Sequence, residues 1–558
     1  MAKKQNPKRY CENDEMNDKI AAIVKQVEIN NKAQQRDMDS LINIAIALSA
    51  ENDIHMIFNL ILEEALNYTN ADGATVYRLA DDQQSLKFEI VYNRTMSIRM
   101  GGKHGKITWP NIPMYNPDSS PQLRNLATLV AHKGEIMNFP DVYNQDVFDC
   151  SGTKAFDAKN KYRSCSMVAI PLKDHEDEIR GVIQLINAMD ENGTVISFDE
   201  QHLSMLRGLA SLAAIILTNK LLITGLETLL QQFVRSIAGA IDRKSKYTGG
   251  HITRVAEITE KIANRLSRTH TGNYKQIHFN LEELKAISMA GWMHDLGKII
   301  TPAYIMDKAT KLETIFDRVE LVMTRFDLII AVMKRDYSLT ENAEDRDRLS
   351  EKIKHITEEK SFVAKANTGG EFMTNEDIIR MELLAEFSYS SHGKNYFLLT
   401  KNELKNLTIR KGTLLSEEFE IMKEHASVTQ EMLAQLTFPK KYRLVPLYAS
   451  SHHEKLNGKG YPLGLLAEQL PLQARIIAIA DLFEALTASD RPYKPGKSLS
   501  ETMKIMAFMA KDMDIDANLL DFILDSGLYL EFAEEYVKKN QIDEVDIPSL
   551  KKMYHQET

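Results

Sequence analysis

Two histidines side by side, His452 and His453, are followed by Glu454 and then by Lys455-Leu-Asn457-Gly458-Lys-Gly460-Tyr461-Pro462. Imidazole nitrogens and a carboxylate are metal donors, and two adjacent rings in a core would each need a polar partner. The glycines mark a tight turn, so donors and turn fall in one loop. Upstream, His294, Asp295 and Lys298 lie inside the apolar run from Ala286 to Ile300. Read as one helix, this run places His294 and Lys298 a turn apart, with Asp295 about 100° round from His294. One element then offers an imidazole and a carboxylate to a metal and directs an ammonium at the same cavity.

Three further stretches accompany these two: Tyr247-Thr-Gly-Gly-His251-Ile-Thr-Arg254, Met422-Lys-Glu-His425, and Ala480-Asp481-Leu-Phe-Glu484, the last followed by Arg491-Pro-Tyr-Lys494. In this order the motifs resemble those of the HD-GYP phosphohydrolases, a family named for pairs such as His294-Asp295 and for the triplet Gly460-Tyr461-Pro462. The resemblance implies a metal site built from His251, His294, Asp295, His425, His452, His453 and Asp481. It implies one ion on His251, His294 and Asp481, a second on His425, His452 and His453, and Asp295 bridging them. Iron is expected, with manganese the alternative, and nitrogen and carboxylate donors without thiolates suit both. Relatives with a third ion carry a glutamate one turn before the residue matching His251. Tyr247 stands there in this chain, so two ions are expected.

Two bridged ions can generate a nucleophile at neutral pH and clamp a phosphodiester. Asp295 and Lys298 are the catalytic candidates, Lys298 because a fixed cation stabilises charge developing on the phosphoryl oxygens. Arg254, Arg491 and Lys494, with Gly460 and Tyr461 of the loop, are candidates for holding the second phosphate and the bases. Glu454 is expected to orient a ligand histidine. Gly458 and Gly460 are expected to supply unusual backbone angles, and Pro462 to fix the loop's exit. Asn457 and Glu484 stand where the family often has aspartate. The resemblance implies hydrolysis of cyclic di-GMP to linear pGpG and onward to GMP, and makes the loop a contact surface for diguanylate cyclases. The rival substrate is 3′,3′-cyclic GMP-AMP. The rival class is a signalling scaffold that binds a cyclic dinucleotide and hydrolyses little.

These residues need elements to hold them. Apolar spacing from 245 to 510 is helical almost throughout, which predicts an all-α bundle. The excess of residues between 313 and 406 is expected to form a helical hairpin outside the metal core, with His355 and His392 solvated. Residues 511–558 read as a C-terminal helical tail. Residues 39–205 instead mix periods. Leu41 to Tyr68 is helical, strands are expected at Gly73–Leu79, Leu86–Tyr92, Cys165–Leu172 and Ile179–Ile186, and a closing helix follows Phe198-Asp199-Glu200.

This α+β segment resembles a GAF sensor domain in Ser166–Leu172, Gly181–Asn187 and Phe198–Glu200. Members that bind cyclic nucleotides carry Asn-Lys, and here Asn187 precedes Ala188, so both a small ligand and a ligand-free dimerisation scaffold stay open. His104, His132 and Cys150 form no arrangement specific to haem or bilin. Residues 1–38 are a polar lead-in. Between 206 and 244, Leu209, Ile216, Ile223, Leu230 and Ile237 recur every seven residues beside Leu212, Asn219, Leu226, Phe233 and Ala240. That seam predicts a parallel coiled-coil homodimer, with Asn219 fixing register. The alternative is a helix packed on its own domain.

The net charge of −9 disfavours a DNA-binding role without excluding a phosphate-bearing substrate in a locally positive site. Three cysteines, Cys11, Cys150 and Cys165, form no disulfide framework and suit a reducing, cytoplasmic setting. The most apolar stretch, Leu209 to Ile223, is interrupted by Ser211, Thr218, Asn219 and Lys220, so no membrane span is expected. No signal peptide is read at the start.

Overall fold

The computed structural model describes residues 14–555, apart from 52, 81, 246–248, 371 and 490–495. The chain divides into two compact units, residues 1–228 and 229–558. One helix, α5 (Glu200–Asp242), contributes to both.

The first unit opens with α1 (Asp14–Ala50) and α2 (Ile54–Thr69). The expected single helix from Leu41 is broken, because Asp53 takes extended angles and its carboxylate accepts from the amide of His55 as an N-cap. There follow β1 (Gly73–Leu79), β2 (Ser85–Asn93), β3 (Ile98–Gly101), β4 (Ile112–Pro113), α3 (Leu126–Lys133), β5 (Met137–Phe139), α4 (Ser151–Asn160), β6 (Met167–Lys173) and β7 (Ile179–Ile186). A small hairpin of β8 (Ala188–Met189) and β9 (Val195–Ile196) precedes α5. The main sheet is antiparallel in the order β3-β2-β1-β7-β6-β5, with β4 beside β2. Its central strands are apolar on both faces because both are covered. Val168, Ile170 and Leu172 face the helical layer of α1, α2 and α5, while Met167 and Ala169 pack with Leu126, Leu129 and Val130 of α3. Pro171 is tolerated because β5 ends opposite Ala169, leaving no neighbour on that side of β6 at the proline.

In the second unit the helices are α6 (His251–Ser267), α7 (Leu281–Met293), α8 (Ala303–Met306), α9 (Val319–Leu339), α10 (Ala343–Asn367), α11 (Asn375–Glu386), α12 (Lys401–Leu407), α13 (Ser416–Ala434), α14 (Val445–Ser450), α15 (Leu472–Thr487), α16 (Leu499–Lys511), α17 (Ala517–Asp525), α18 (Leu528–Tyr536) and α19 (Ile547–Tyr554). Three outcomes differ from expectation. The 313–406 insertion is more than a hairpin: α9 to α12 enclose a core of their own around Phe326, Ile329, Met333, Ile356 and Met381, and include a β-hairpin, β10 (Ser388–Ser391) with β11 (Lys394–Phe397). The C-terminal segment is no tail, since Leu519, Ile523, Leu528 and Phe532 pack against Val255 and Ile258 of α6 and Phe483 of α15. The expected helix through 300 stops at Met293, and a 3-10 turn, Leu296–Ile299, takes over.

Most of the expected coiled-coil segment lies within α5, which is buried at both ends. Leu209, Ala213 and Leu217 are buried in the first unit's core, and Val234, Ala238 and Ile241 in the second's. Between them Leu222, Ile223, Leu226, Leu229 and Phe233 are each more than half exposed. Extended to its full length, α5 is long and apolar enough to cross a membrane by length and composition, although a third of its most apolar window is buried within the protein.

Candidate metal centre

Five segments of the second unit bring the expected ligands together. His251 opens α6, behind Gly250 in the left-handed region (φ 89°). His294 and Asp295 follow the last turn of α7, His425 sits within α13, His452 and His453 follow α14, and Asp481 lies on α15. Helix ends suit this task, because the last turn leaves carbonyls without partners. His294 Nδ1–H donates to Gly291 O (2.8 Å), His452 Nδ1–H to Ala449 O (2.7 Å), and within α13 His425 Nδ1–H to Met422 O (2.5 Å). A carbonyl can only accept, so each ring carries its proton on Nδ1 and presents a lone pair at Nε2.

Those Nε2 atoms converge on Asp295. Its Oδ2 lies 3.2 Å from Nε2 of His251 and 3.2 Å from Nε2 of His294. Its Oδ1 lies 3.6 Å from Nε2 of His425 and 4.0 Å from Nε2 of His452. Asp481 Oδ1 stands 3.3 Å from His251 Nε2. Two donor clusters result, His251-His294-Asp295 and His425-His452-His453. The Nε2 atoms of His251, His294, His425 and His452 and Oδ1 of Asp295 are buried without a hydrogen-bond partner. Leaving such atoms unpaired costs about 1–3 kcal/mol each, a cost that cations placed among them would remove. The donor set fits divalent transition metals.

The electrostatics agree. Burial holds His452 well below the ordinary histidine range and His453 down to about 4, and it lowers His425, so these rings are neutral donors at pH 7. Burial also acts against a charged His251, but Asp295, Asp481 and Glu484 outweigh it and raise the ring well above its usual value. Burial alone would raise the carboxyls of Asp295 and Asp481. The surrounding imidazoles, joined at Asp295 by Lys298, hold both well below their usual range. The pocket is built to hold positive charge against fixed carboxylates.

Other expected residues find different partners. Lys298 Nζ lies 2.5 Å from Asp295 Oδ2, reached through the 3-10 turn rather than along one helix. Arg254 places Nε and a terminal nitrogen 2.8 and 2.6 Å from Glu484 Oε1, so its guanidinium braces a carboxylate. Glu454 orients no histidine. Its Oε1 accepts from the amides of Leu463 and Gly464 and its Oε2 from that of Leu465, which fixes the loop. Gly458 does adopt left-handed angles (φ 74°), whereas Gly460 serves by its size, since a Cβ there would overlap the backbone of Glu454 and Lys455. Tyr461 stacks on His453 with ring centres 4.8 Å apart. Arg491, Lys494 and Tyr247 lie outside the described residues. His355 and His392 are exposed in the insertion.

Three residues have contacts at the site that the sequence reading does not assign. Glu484 Oε2 lies 2.5 Å from His251 Nδ1. Its spacing of three from Asp481 on a helix was the available signal. Thr429 Oγ1 accepts from the amide of Gly297 and donates to His294 O, tying α13 to the turn. Lys423 holds its ammonium 5.9 Å from the centre of the Tyr461 ring.

Residues 53–217 match the GAF domain family model, and residues 400–519 match that of the HD domain. The chain carries a GAF domain followed by an HD domain. With the HD domain comes divalent-metal binding, and its matched segment contains one of the two donor clusters that could hold an ion, His425-His452-His453. Among curated relatives, a cyclic di-GMP phosphodiesterase of Thermotoga maritima is 39% identical over 18% of this chain and 26% of its own length. The cyclic di-GMP phosphodiesterase response regulator RpfG of Xanthomonas campestris pv. campestris is 33% identical over 23% of this chain and 32% of its own length. A 3′3′-cGAMP-specific phosphodiesterase of Vibrio cholerae is 38% identical over 20% and 25%. The chain thus spans about a quarter to a third of the length of these relatives.

In the GAF domain, a cavity of about 620 Å³ is lined by Tyr77, Phe88, Trp109, Phe156 and Asn93. Asn187 braces the neighbouring loop, accepting from the amide of Cys165 and donating to Tyr162 Oη and Arg163 O.

Proposed function

We propose that this chain is a metal-dependent phosphodiesterase that opens cyclic dinucleotides, cyclic di-GMP first, to the linear dinucleotide pGpG, with onward cleavage to GMP. One observation carries the reading: the two oxygens of the buried Asp295 face two separate imidazole groups, the arrangement a bridging carboxylate requires. His251, His294 and Asp481 would hold one ion and His425, His452 and His453 the other, iron or manganese. Bound there, the ions supply Lewis-acid polarisation of the phosphodiester and a nucleophile at neutral pH.

The chain's own groups do the rest. Lys298 keeps a fixed positive charge beside Asp295, where phosphoryl oxygens gain charge in the transition state. Tyr461, stacked on His453 and faced by Lys423, offers an aromatic wall and a cation to a nucleotide base and its phosphate. Glu454 holds that wall still by pinning the backbone from Leu463 to Leu465. Arg254 acts through Glu484 on His251, which replaces the phosphate-contact role expected of it. Arg491 and Lys494 are candidates for the second phosphate on the strength of the sequence.

The chain is read as a cytoplasmic homodimer; the exposed stripe of α5 from Leu222 to Phe233 supports pairing along this helix, and the GAF domain is the regulator through a small ligand in its cavity. A diguanylate cyclase is the partner for the loop at 457–462.

The deciding assay uses full-length protein loaded anaerobically with iron or with manganese and given cyclic di-GMP and 3′,3′-cyclic GMP-AMP separately, beside Asp295→Ala. Metal-dependent appearance of pGpG, absent in the variant, establishes the reaction. Faster turnover of cyclic GMP-AMP would reassign the substrate, in line with the name of the Vibrio cholerae relative. Tight binding of both dinucleotides without turnover under either metal would replace the enzyme with a scaffold.

A further inference from the structure

The C-terminal end of α5 and the residues just past it make three polar contacts, two of them to segments that carry candidate site residues. Asp242 Oδ1 accepts from the amide of Ile252, one residue past His251 (3.4 Å). Ser245 Oγ donates to Asp307 Oδ1, just past α8 (2.5 Å). Between these two, Lys244 Nζ donates to Lys298 O (3.1 Å), Ile299 O (2.5 Å) and Thr301 O (2.7 Å).

The last contact is chemically specific. Lys298 O and Ile299 O belong to the 3-10 turn Leu296–Ile299 and Thr301 O follows it, at a helical C-terminus that carries partial negative charge; Lys298 O also accepts from the amide of Thr301. An ammonium has three donors, and here three carbonyls converge on it. Lys244 Nζ hydrogen-bonds backbone carbonyls and not the side chains of the candidate ligands, and the backbone it holds includes Lys298 itself and runs on from Asp295. The apolar side of the joint is equally direct: Val234, Ala238 and Ile241 of α5 share a core with Met289, Ala290 and Met293 of α7, the helix that ends at His294.

We infer that Lys244 is a positioning residue for the Asp295–Lys298 turn, through which the end of α5 sets the placement of the Lys298 ammonium. The inference rests on the reading of Lys298 given above for its effect on turnover, but not for its structural content. Since α5 also supplies Leu209, Ala213 and Leu217 to the GAF core, its end is where a change of state in that helix would reach the candidate catalytic residues.

The test compares full-length wild type, Lys244→Met and Lys244→Arg by three readouts: steady-state kinetics on cyclic di-GMP, bound manganese per chain, and amide hydrogen exchange over 298–301. A sub-ångström to 1 Å displacement of a positioned group costs on the order of 10- to 100-fold in kcat. Lys244→Met is expected to lose that much kcat with KM within about 3-fold of wild type, to retain two ions, and to exchange faster at 298–301. Lys244→Arg keeps a cation at the carbonyls but cannot point three donors at them from one atom, so it restores part of the loss. Unchanged kcat in Lys244→Met, or a loss that merely tracks lost metal, overturns the inference. Should wild type itself turn over no cyclic dinucleotide, the proposed activity fails while exchange still decides the clamp: unchanged exchange at 298–301 refutes it, and faster exchange with metal retained upholds it.

Discussion

Oε2 of Glu484 lies 2.5 Å from Nδ1 of His251, and the guanidinium of Arg254 grips the other oxygen of the same carboxylate. The ring is therefore held from behind, and its Nε2 is aimed at Asp295 and Asp481.

Glu484→Gln should weaken one metal ion selectively. Loss of such a supporting partner typically costs about 10- to 100-fold in metal affinity. Calorimetric titration of the apo protein with manganese should show one site weakened by that factor and the other, built on His425, His452 and His453, unchanged. Two sites of wild-type affinity would show that Glu484 does not orient His251.

Gly297 has no room for a side chain, since a Cβ would overlap the carbonyl of His425 and crowd the amide of Thr429. Gly297→Ala must push α13 away from the turn that carries Asp295, separating the two donor clusters. An overpacking cost of about 1–3 kcal/mol is expected in urea unfolding, together with metal content below two ions per chain. Wild-type stability and metal content together would contradict this packing.

Asp336 links α9 to the β10–β11 hairpin through Tyr389 Oη (2.7 Å) and Ser391 Oγ (2.6 Å). Burial would raise its carboxyl, but Ser391, Arg335 and Tyr389 outweigh this and hold it down to about 2. The folded value lies below the unfolded one, so its contribution is complete above pH 5 or so and disappears as pH falls towards 2. Asp336→Asn should cost about 1 kcal/mol at pH 7 after allowance for solvent screening. Melting curves should show this gap closing between pH 5 and 2. A gap independent of pH would mean that the ionised carboxylate is not what holds the hairpin.

Leu226 and Phe233 are seven residues apart on α5 and about two-thirds exposed, at 65% and 60%. Placed at one position of a heptad, they should meet their copies in a parallel dimer. Light scattering of Leu226→Glu/Phe233→Glu should give a monomer where wild type gives a dimer. A dimer that survives both charges would have to be formed elsewhere.

Part of the candidate site was legible in the sequence. Histidine and aspartate at seven positions, in five short motifs that carry the family resemblance, are donors that the structure brings near one another. Short apolar runs located β1, β2, β6 and β7, whose central members are buried on both faces, and helical spacing located the start of α5. Where a boundary depended on a single cap, as at Asp53, or on a switch from α to 3-10 geometry, as after Met293, apolar spacing carried no signal.

What the sequence determined by itself was therefore the chemistry of the donors and the class of each domain, both set by local composition and period. Tertiary structure decided which atoms meet. Arg254, by its type and place a candidate phosphate contact, pairs with Glu484 far along the chain, and Glu454, a candidate histidine partner, has its oxygens on the amides of the loop. The two oxygens of Asp295 are equivalent in the sequence, and only the packing of α6, α7, α13, α14 and α15 gives one to each group of imidazoles. Pairings of this kind depend on hydrogen bonds and packing between segments remote in the chain, for which local periodicity holds no information.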